Sequence, residues 1–273
     1  MSTDTITRPQ DPSAQPYAET ARPLALVRHS AALAKRSLIK LTRTPEAFID
    51  VTIQPIIFIL LFTYVFGGAI AGSTHDYLQN LLPGILAMTV ATTITIGVNL
   101  NSDMEKGVFD RFRSLPIGRS APLLGAVFAD VVRYLSICVV TIGFGYLIGF
   151  RIQTNAISAV GGCLVAISFA ICLSWLSVFI GMKARSSGAV QGLTFLIILP
   201  LSFGSNVFVP TDSLPSWLQT FVSINPLTQL VATMRGLFLG GPVAGPLGWT
   251  VLWMIGLVAV FMPLALRAYQ KKA

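Results

Sequence analysis

Residues 157–182 read ISAVGGCLVAISFAICLSWLSVFIGM, 26 positions without a single charged side chain. At 1.5 Å per residue a helix of that length covers about 39 Å, more than the roughly 30 Å of hydrocarbon in a bilayer. The stretch lacks the strict alternation of a barrel strand. In lipid every backbone N–H and C=O needs an internal partner, so the stretch reads as a spanning helix.

Working outward, further apolar runs occupy 47–71, 80–100, 121–150, 189–208 and 247–266. The expected fold is therefore an all-α integral membrane protein with six transmembrane helices. Composition agrees: 53% of residues are hydrophobic, 11% are charged, and mean hydropathy is +0.73. Soluble domains carry about 25% charged residues, so a water-facing surface could not be covered.

The net charge of +8 would suit nucleic acid, but its distribution points to topology instead. With the N-terminus inside, sixteen of nineteen Lys/Arg fall in the N-terminal segment, the 101–120 and 182–188 loops and the C-terminal tail. Arg133 sits near the inner end of the third span, and only Arg151 and Arg235 lie outside. This is the positive-inside bias. It sets both termini in the cytoplasm and needs no nucleic acid.

Residues 1–22 are polar and proline-rich, and read as a disordered cytoplasmic tail rather than a signal peptide. Residues 23–273 read as one membrane domain. Within it, 24–43 (LALVRHSAALAKRSLIKLTR) sets Leu24, Val27, Ala31, Ala34, Leu38 and Leu41 on one face and Arg36, Lys40 and Arg43 opposite. That is a basic amphipathic helix lying in the inner interface, either a simple anchor or an elbow that transmits motion. Thr44-Pro45 then supplies an N-cap and first position for the first span. Between the fifth and sixth spans, residues 207–240 are too long and apolar for a plain loop and are interrupted by Pro210, Pro215, Pro226 and Gly240-Gly241. Two short helices, near 215–223 and 226–238, form an outer re-entrant or interfacial hairpin.

Chemistry is sparse. His29 and His75 show no metal-ligand spacing, and none of six lysines follows Gly or precedes Ser or Thr, so no P-loop is present. Catalytic and metal sites are not expected. Cys138, Cys163 and Cys172 lie within spans without paired spacing and read as small packing residues. Gly145 and Gly149 form a GxxxG that suggests close helix packing. Asp130 and Arg133, three apart in the third span, are placed to neutralise each other.

Two uncharged polar stripes cross the membrane. Met88, Thr92, Thr95, Asn99 and Ser102 recur at helical steps on the second span. Gln191, Thr194, Ser202 and Ser205 do so on the fifth, where Pro200 permits a kink. Such stripes either bond packed helices together or line a wet pathway.

The second and third spans are joined by DMEKGVFDRFRSLPIG (103–118), with six charges in eleven positions. As a helix it sets Met104, Val108, Phe112 and Leu115 on one face and Asp103, Lys106, Asp110 and Arg113 on another. Pro116 ends it and Gly107 weakens its middle. It reads as a cytoplasmic docking surface or as a solvated, positive-inside loop.

MEKGVFDRFRSLPI (104–117) resembles the coupling-helix region of permeases in the type-2 ABC exporter family, in particular the daunorubicin-resistance type. INPLTQLVATMRGLFLGG (224–241) is similar to that family's segment before the last span. The order of interfacial helix, six spans and outer hairpin matches over about 24–270. The resemblance implies a type-2 ABC permease domain with a cytoplasmic coupling helix at 103–116. Glu105, Lys106, Gly107, Arg111, Phe112, Arg113 and Pro116 would then meet a separate nucleotide-binding ATPase, present in two copies. ATP and Mg would be used by that partner, with no cofactor on this chain. A second permease, identical or related, completes the implied machine in a bacterial plasma membrane. Its path would be bordered by Met88, Thr92, Thr95, Asn99, Gln191, Thr194, Ser202 and Ser205, and its outer gate by Phe208, Trp217, Phe221 and Arg235. An amphipathic or hydrophobic cargo (drug, antibiotic or lipid) fits that lining. The competing readings are a permease for lipid-linked polysaccharide, a secondary transporter using Asp130, and a non-transporting scaffold.

Overall fold

The computed structural model describes residues 45–106, 121–209, 211 and 214–272, and these contain helices and turns without strands. Helix α1 (Pro45–Leu61) runs through a π turn at Phe62–Phe66 into the short α2 (Gly67–Ala71). Gly72, at φ 67°, turns the chain back, and Ser73 caps α3 (Thr74–Thr92) by accepting the Asp76 amide at 3.3 Å. After a break come α4 (Ile96–Glu105), α5 (Ala121–Leu147), α6 (Ala156–Lys183), α7 (Ser187–Phe203), α8 (Ser216–Ile224), α9 (Pro226–Leu239) and α10 (Ala244–Lys272).

Five stretches are long and apolar enough to cross a membrane: Val51–Ile70, Thr74–Glu105, Asp130–Leu147, Ala156–Lys183 and Ala244–Tyr269. The expected sixth, at 189–208, is shorter. Helix α7 holds 17 residues and stops at Phe203, about 25 Å at the usual rise. Its end is capped from a distance: Asn225 Nδ2 donates to the carbonyls of Leu201 (2.8 Å) and Gly204 (2.7 Å), satisfying acceptors that a helix end leaves free.

The second span also departs from expectation, because it is two helices. Thr92 and Thr93 hydroxyls both donate back to the Thr89 carbonyl, at 3.1 and 2.7 Å. Adjacent β-branched threonines thus compete for an acceptor, and the backbone leaves helical geometry at 93–95. The stripe from Met88 to Ser102 therefore does not lie on one continuous helix face.

Helix α3 is the centre of the molecule, with every residue from Leu81 to Ala91 buried. Helix α6 packs on α3, α4, α5, α7, α9 and α10. The outward faces of α1, α7 and α10 carry exposed Ile57, Leu196, Phe203, Trp249 and Ile255. A soluble protein would not tolerate such an apolar surface, whereas lipid covers it at no cost. Lipid also removes the hydrophobic drive between helices, so their association depends on close packing. The tightest crossing is α4 on α6. A Cβ on Gly97 would collide with the Ser177 carbonyl, and one on Gly181 would come 2.5 Å from the Gly97 carbonyl oxygen. The sequence reading put close helix packing at Gly145 and Gly149. There Gly145 makes room for Leu82, while Gly149 lies beyond the helix at φ 110°.

The interfacial helix expected at 24–43, the tail at 1–22 and residues 107–116 of the insert lie outside the described residues. The hairpin is present as α8 and α9. Asn225 begins α9 by accepting the Leu227 amide at 2.9 Å, Pro226 takes the first position, and Gly240 at φ 87° ends it. Helix α9 is deeply packed: Leu227, Leu230, Val231, Met234 and Phe238 are all buried. Free Cys138 and Cys163, which sequence spacing leaves unpaired, adjoin across α5 and α6.

Candidate coupling and translocation elements

At the end of the molecule carrying Glu105 and Lys183, α4 grips the turn between α6 and α7. Asn101 is buried, and its Nδ2 donates to the carbonyls of Gly181 (2.8 Å) and Ala184 (3.1 Å), satisfying acceptors at the end of α6. One turn further along α4, Glu105 Oε1 accepts the Ser187 amide at 3.2 Å, the first amide of α7. Ser186 caps the same helix through the Ala189 amide. Of the expected coupling residues, Glu105 and Lys106 are described and exposed; Gly107, Arg111, Phe112, Arg113 and Pro116 lie outside the described residues. Sequence reasoning missed Asn101. Its signal was an amide one helical turn before Glu105, beside the Asn99 and Ser102 of the polar stripe.

At the start of the Asp130–Leu147 span, Asp130 and Arg133 meet through a third group. The Thr95 hydroxyl donates to Asp130 Oδ1 at 2.8 Å and accepts from Arg133 at 2.9 Å, with Asn99 Nδ2 at 3.4 Å. The Asp130 carboxylate also faces the Thr95 and Ile96 amides, where α4 begins. A negative charge at a helix start complements the dipole and the unpaired N–H groups there. The helix break is thereby held in place by two charges on α5.

The polar stripes divide by exposure. Asn99 and Gln191 are exposed and Thr92 and Thr95 half-buried, whereas Met88, Thr194, Ser202 and Ser205 are buried within the chain. Ser205 donates to the Ser202 carbonyl at 2.5 Å. The buried face of α7 carries Thr194 and Ser202 between Val190 and Ile198, and its outward face carries Leu193, Phe195, Leu196 and Phe203.

At the opposite end, Arg235 ties three segments together: Nε donates to the Asn80 carbonyl (2.9 Å), and Nη2 to those of Asn206 (2.8 Å) and Val207 (3.2 Å). The Tyr77 hydroxyl donates to the Phe208 carbonyl at 2.9 Å. Phe208 is buried in an aromatic ladder, stacked on Phe62 at 4.2 Å and on Phe203 at 5.3 Å. Trp217 and Phe221 on α8 are exposed. Arg235 on α9 therefore meets the chain next to Phe208, whereas Trp217 and Phe221 lie on the exposed side of α8.

The sequence profile of the ABC-2 type transporter family matches residues 29–239. The daunorubicin resistance ABC transporter permease protein DrrB1 of Streptomyces coeruleorubidus is 39% identical over 238 residues, covering 87% of this chain and 84% of that one. The doxorubicin resistance ABC transporter permease protein DrrB of Mycobacterium tuberculosis (strain H37Rv) is 30% identical over 224 residues, or 76% of each chain. The chain belongs to the ABC-2 type transporter family and is the non-catalytic, membrane-embedded permease subunit of an ABC exporter.

Proposed function

We propose that this permease carries a hydrophobic or amphipathic compound, of the anthracycline drug type named for its relatives, outward across a bacterial plasma membrane. The observation that carries the reading is 39% identity to a daunorubicin resistance permease across 87% of the chain. Two copies of a separate P-loop ATPase bind ATP and Mg, and two permeases face each other across the path. The topology is six spans with both termini cytoplasmic, the fifth span being α7 extended by the turns at 204–209. The positive-inside distribution of Lys/Arg supports this orientation.

In this arrangement Lys106, Gly107, Arg111, Phe112, Arg113 and Pro116 meet the ATPase. Asn99, Gln191, Thr92 and Thr95, which are exposed or half-exposed, border the path. Met88, Thr194, Ser202 and Ser205 are buried within the chain and stand back from the path. Trp217 and Phe221 form the outer gate over the Phe208–Arg235 floor. Thr, Asn and Gln beside apolar side chains suit an amphipathic cargo, with the Asp130–Arg133 pair held by Thr95 on the inner side of this face.

The test is daunorubicin uptake into inverted membrane vesicles containing this chain and a partner P-loop ATPase. ATP should drive accumulation that ADP does not, and that vesicles lacking the chain do not show. Accumulation that ignores ATP and collapses with an ionophore would contradict the reading.

A further inference from the structure

Glu105 lies in the stretch expected to meet the ATPase, yet its carboxylate is turned the other way. Oε1 accepts the Ser187 amide of α7 at 3.2 Å. Four residues earlier, on the same face of α4, Asn101 holds the carbonyls of Gly181 and Ala184. One turn earlier again, Gly97 brings the α4 backbone directly onto α6 at Gly181 and Ser177. Three successive turns of α4 thus engage one target, the junction of α6 and α7. No other helix end among the described residues is gripped in this way by a second helix's side chains from consecutive turns.

We infer that Glu105 is a positioning residue for coupling: its carboxylate ties the coupling insert to the first amide of α7, so that movement of the insert tilts α7 directly. This rests on the exporter reading above. The bond is well placed for the task. Helix starts carry unpaired N–H groups and the positive end of the dipole, so an anion there makes a charge-assisted, directional link. Helix α7 carries a pull at Ser187 past Gln191 to Pro200, where it can bend, because its far end is held by Asn225 at Leu201 and Gly204 and the following turn by Arg235 at Asn206 and Val207. A pull at Ser187 therefore moves Gln191 against a fixed Phe203–Phe208 ladder.

The link has a removable donor. Ser187 is the first residue of α7, where proline is tolerated, and Ser186 before it is already extended at φ −147°, ψ 153°. Ser187→Pro deletes the amide hydrogen while leaving the helix start in place. Glu105→Gln keeps an acceptor oxygen without the charge, and Glu105→Ala removes both.

The experiment uses the permease co-expressed with its ATPase, purified in mild detergent and reconstituted into vesicles with daunorubicin as probe. Three quantities are read for each variant: ATPase retained per permease, ATP hydrolysis, and ATP-driven probe movement. Expected for Ser187→Pro and Glu105→Ala is wild-type retention of the ATPase and continued hydrolysis, with probe movement reduced about tenfold, as for loss of one charge-assisted hydrogen bond. Glu105→Gln should fall between these and wild type. Monodisperse elution and an unchanged unfolding midpoint identify variants that are folded, and Glu105→Ala carries the test if Ser187→Pro is not. Two results overturn the inference: full probe movement in Ser187→Pro, or loss of the ATPase from Glu105→Ala and Glu105→Gln, which would make Glu105 a docking charge. Failure of the wild-type permease to retain any ATPase is a separate outcome, and it overturns the exporter reading itself.

Discussion

Asn225 spends its whole side chain on other residues' backbones. Its oxygen caps the start of α9 through the Leu227 amide, and its nitrogen takes two carbonyls from the end of α7. Because it is buried, no water replaces these partners when they are lost. Asn225→Ala should lower stability by about 2–4 kcal/mol, seen as a fall in the thermal midpoint in detergent. Asn225→Asp keeps the cap but loses both donations and sets a carboxylate against two carbonyls, so it should be no better than Ala. Recovery of the midpoint by Asp would show that only the α9 cap matters. Asn225-Pro226 was readable as a helix start from sequence. Its second task was not, because the α7 carbonyls lie more than twenty residues away and nothing local announces them.

Among the elements, the long apolar runs were legible, since a bilayer imposes length and composition on any span. Their interruptions were not. The break at 93–95 arises from Thr92 and Thr93 competing for the Thr89 carbonyl and is held by Asp130 and Arg133 from α5. A window average reads straight through four polar but uncharged positions. The same applies to α7, whose early end is capped by Asn225. Close packing was anticipated at Gly145 and Gly149, whereas the tightest helix–helix approach is Gly97 on Gly181. Gly97→Ala should cost about 1–3 kcal/mol, because the added methyl meets the Ser177 carbonyl, which belongs to a helix and cannot yield. The control is Gly68→Ala, where a Cβ meets nothing within 4 Å. Detergent unfolding midpoints that fall equally for both would contradict the backbone-crossing account.

For the whole molecule, family membership was legible from two motifs in order, and the family profile over 29–239 bears it out. The sites were less so. A stripe of polar residues looks the same in sequence whether it faces a path or its own chain, and burial separates Gln191 and Asn99 from Thr194 and Ser202. What unifies the molecule is a division of labour along α4. Its start is held by Asp130 and Arg133, its middle lies on α6, and its end, the first turn of the insert, engages α7. The central claim is that the insert delivers a partner's motion to this assembly. The most direct measurement is purification of the tagged protein in mild detergent, with bound partners identified by mass spectrometry, against an Arg111→Glu plus Arg113→Glu variant. A P-loop ATPase should accompany the wild type at about one copy per permease and be absent from the variant, whose elution profile is unchanged. A folded wild-type protein that brings down no ATPase would contradict the account.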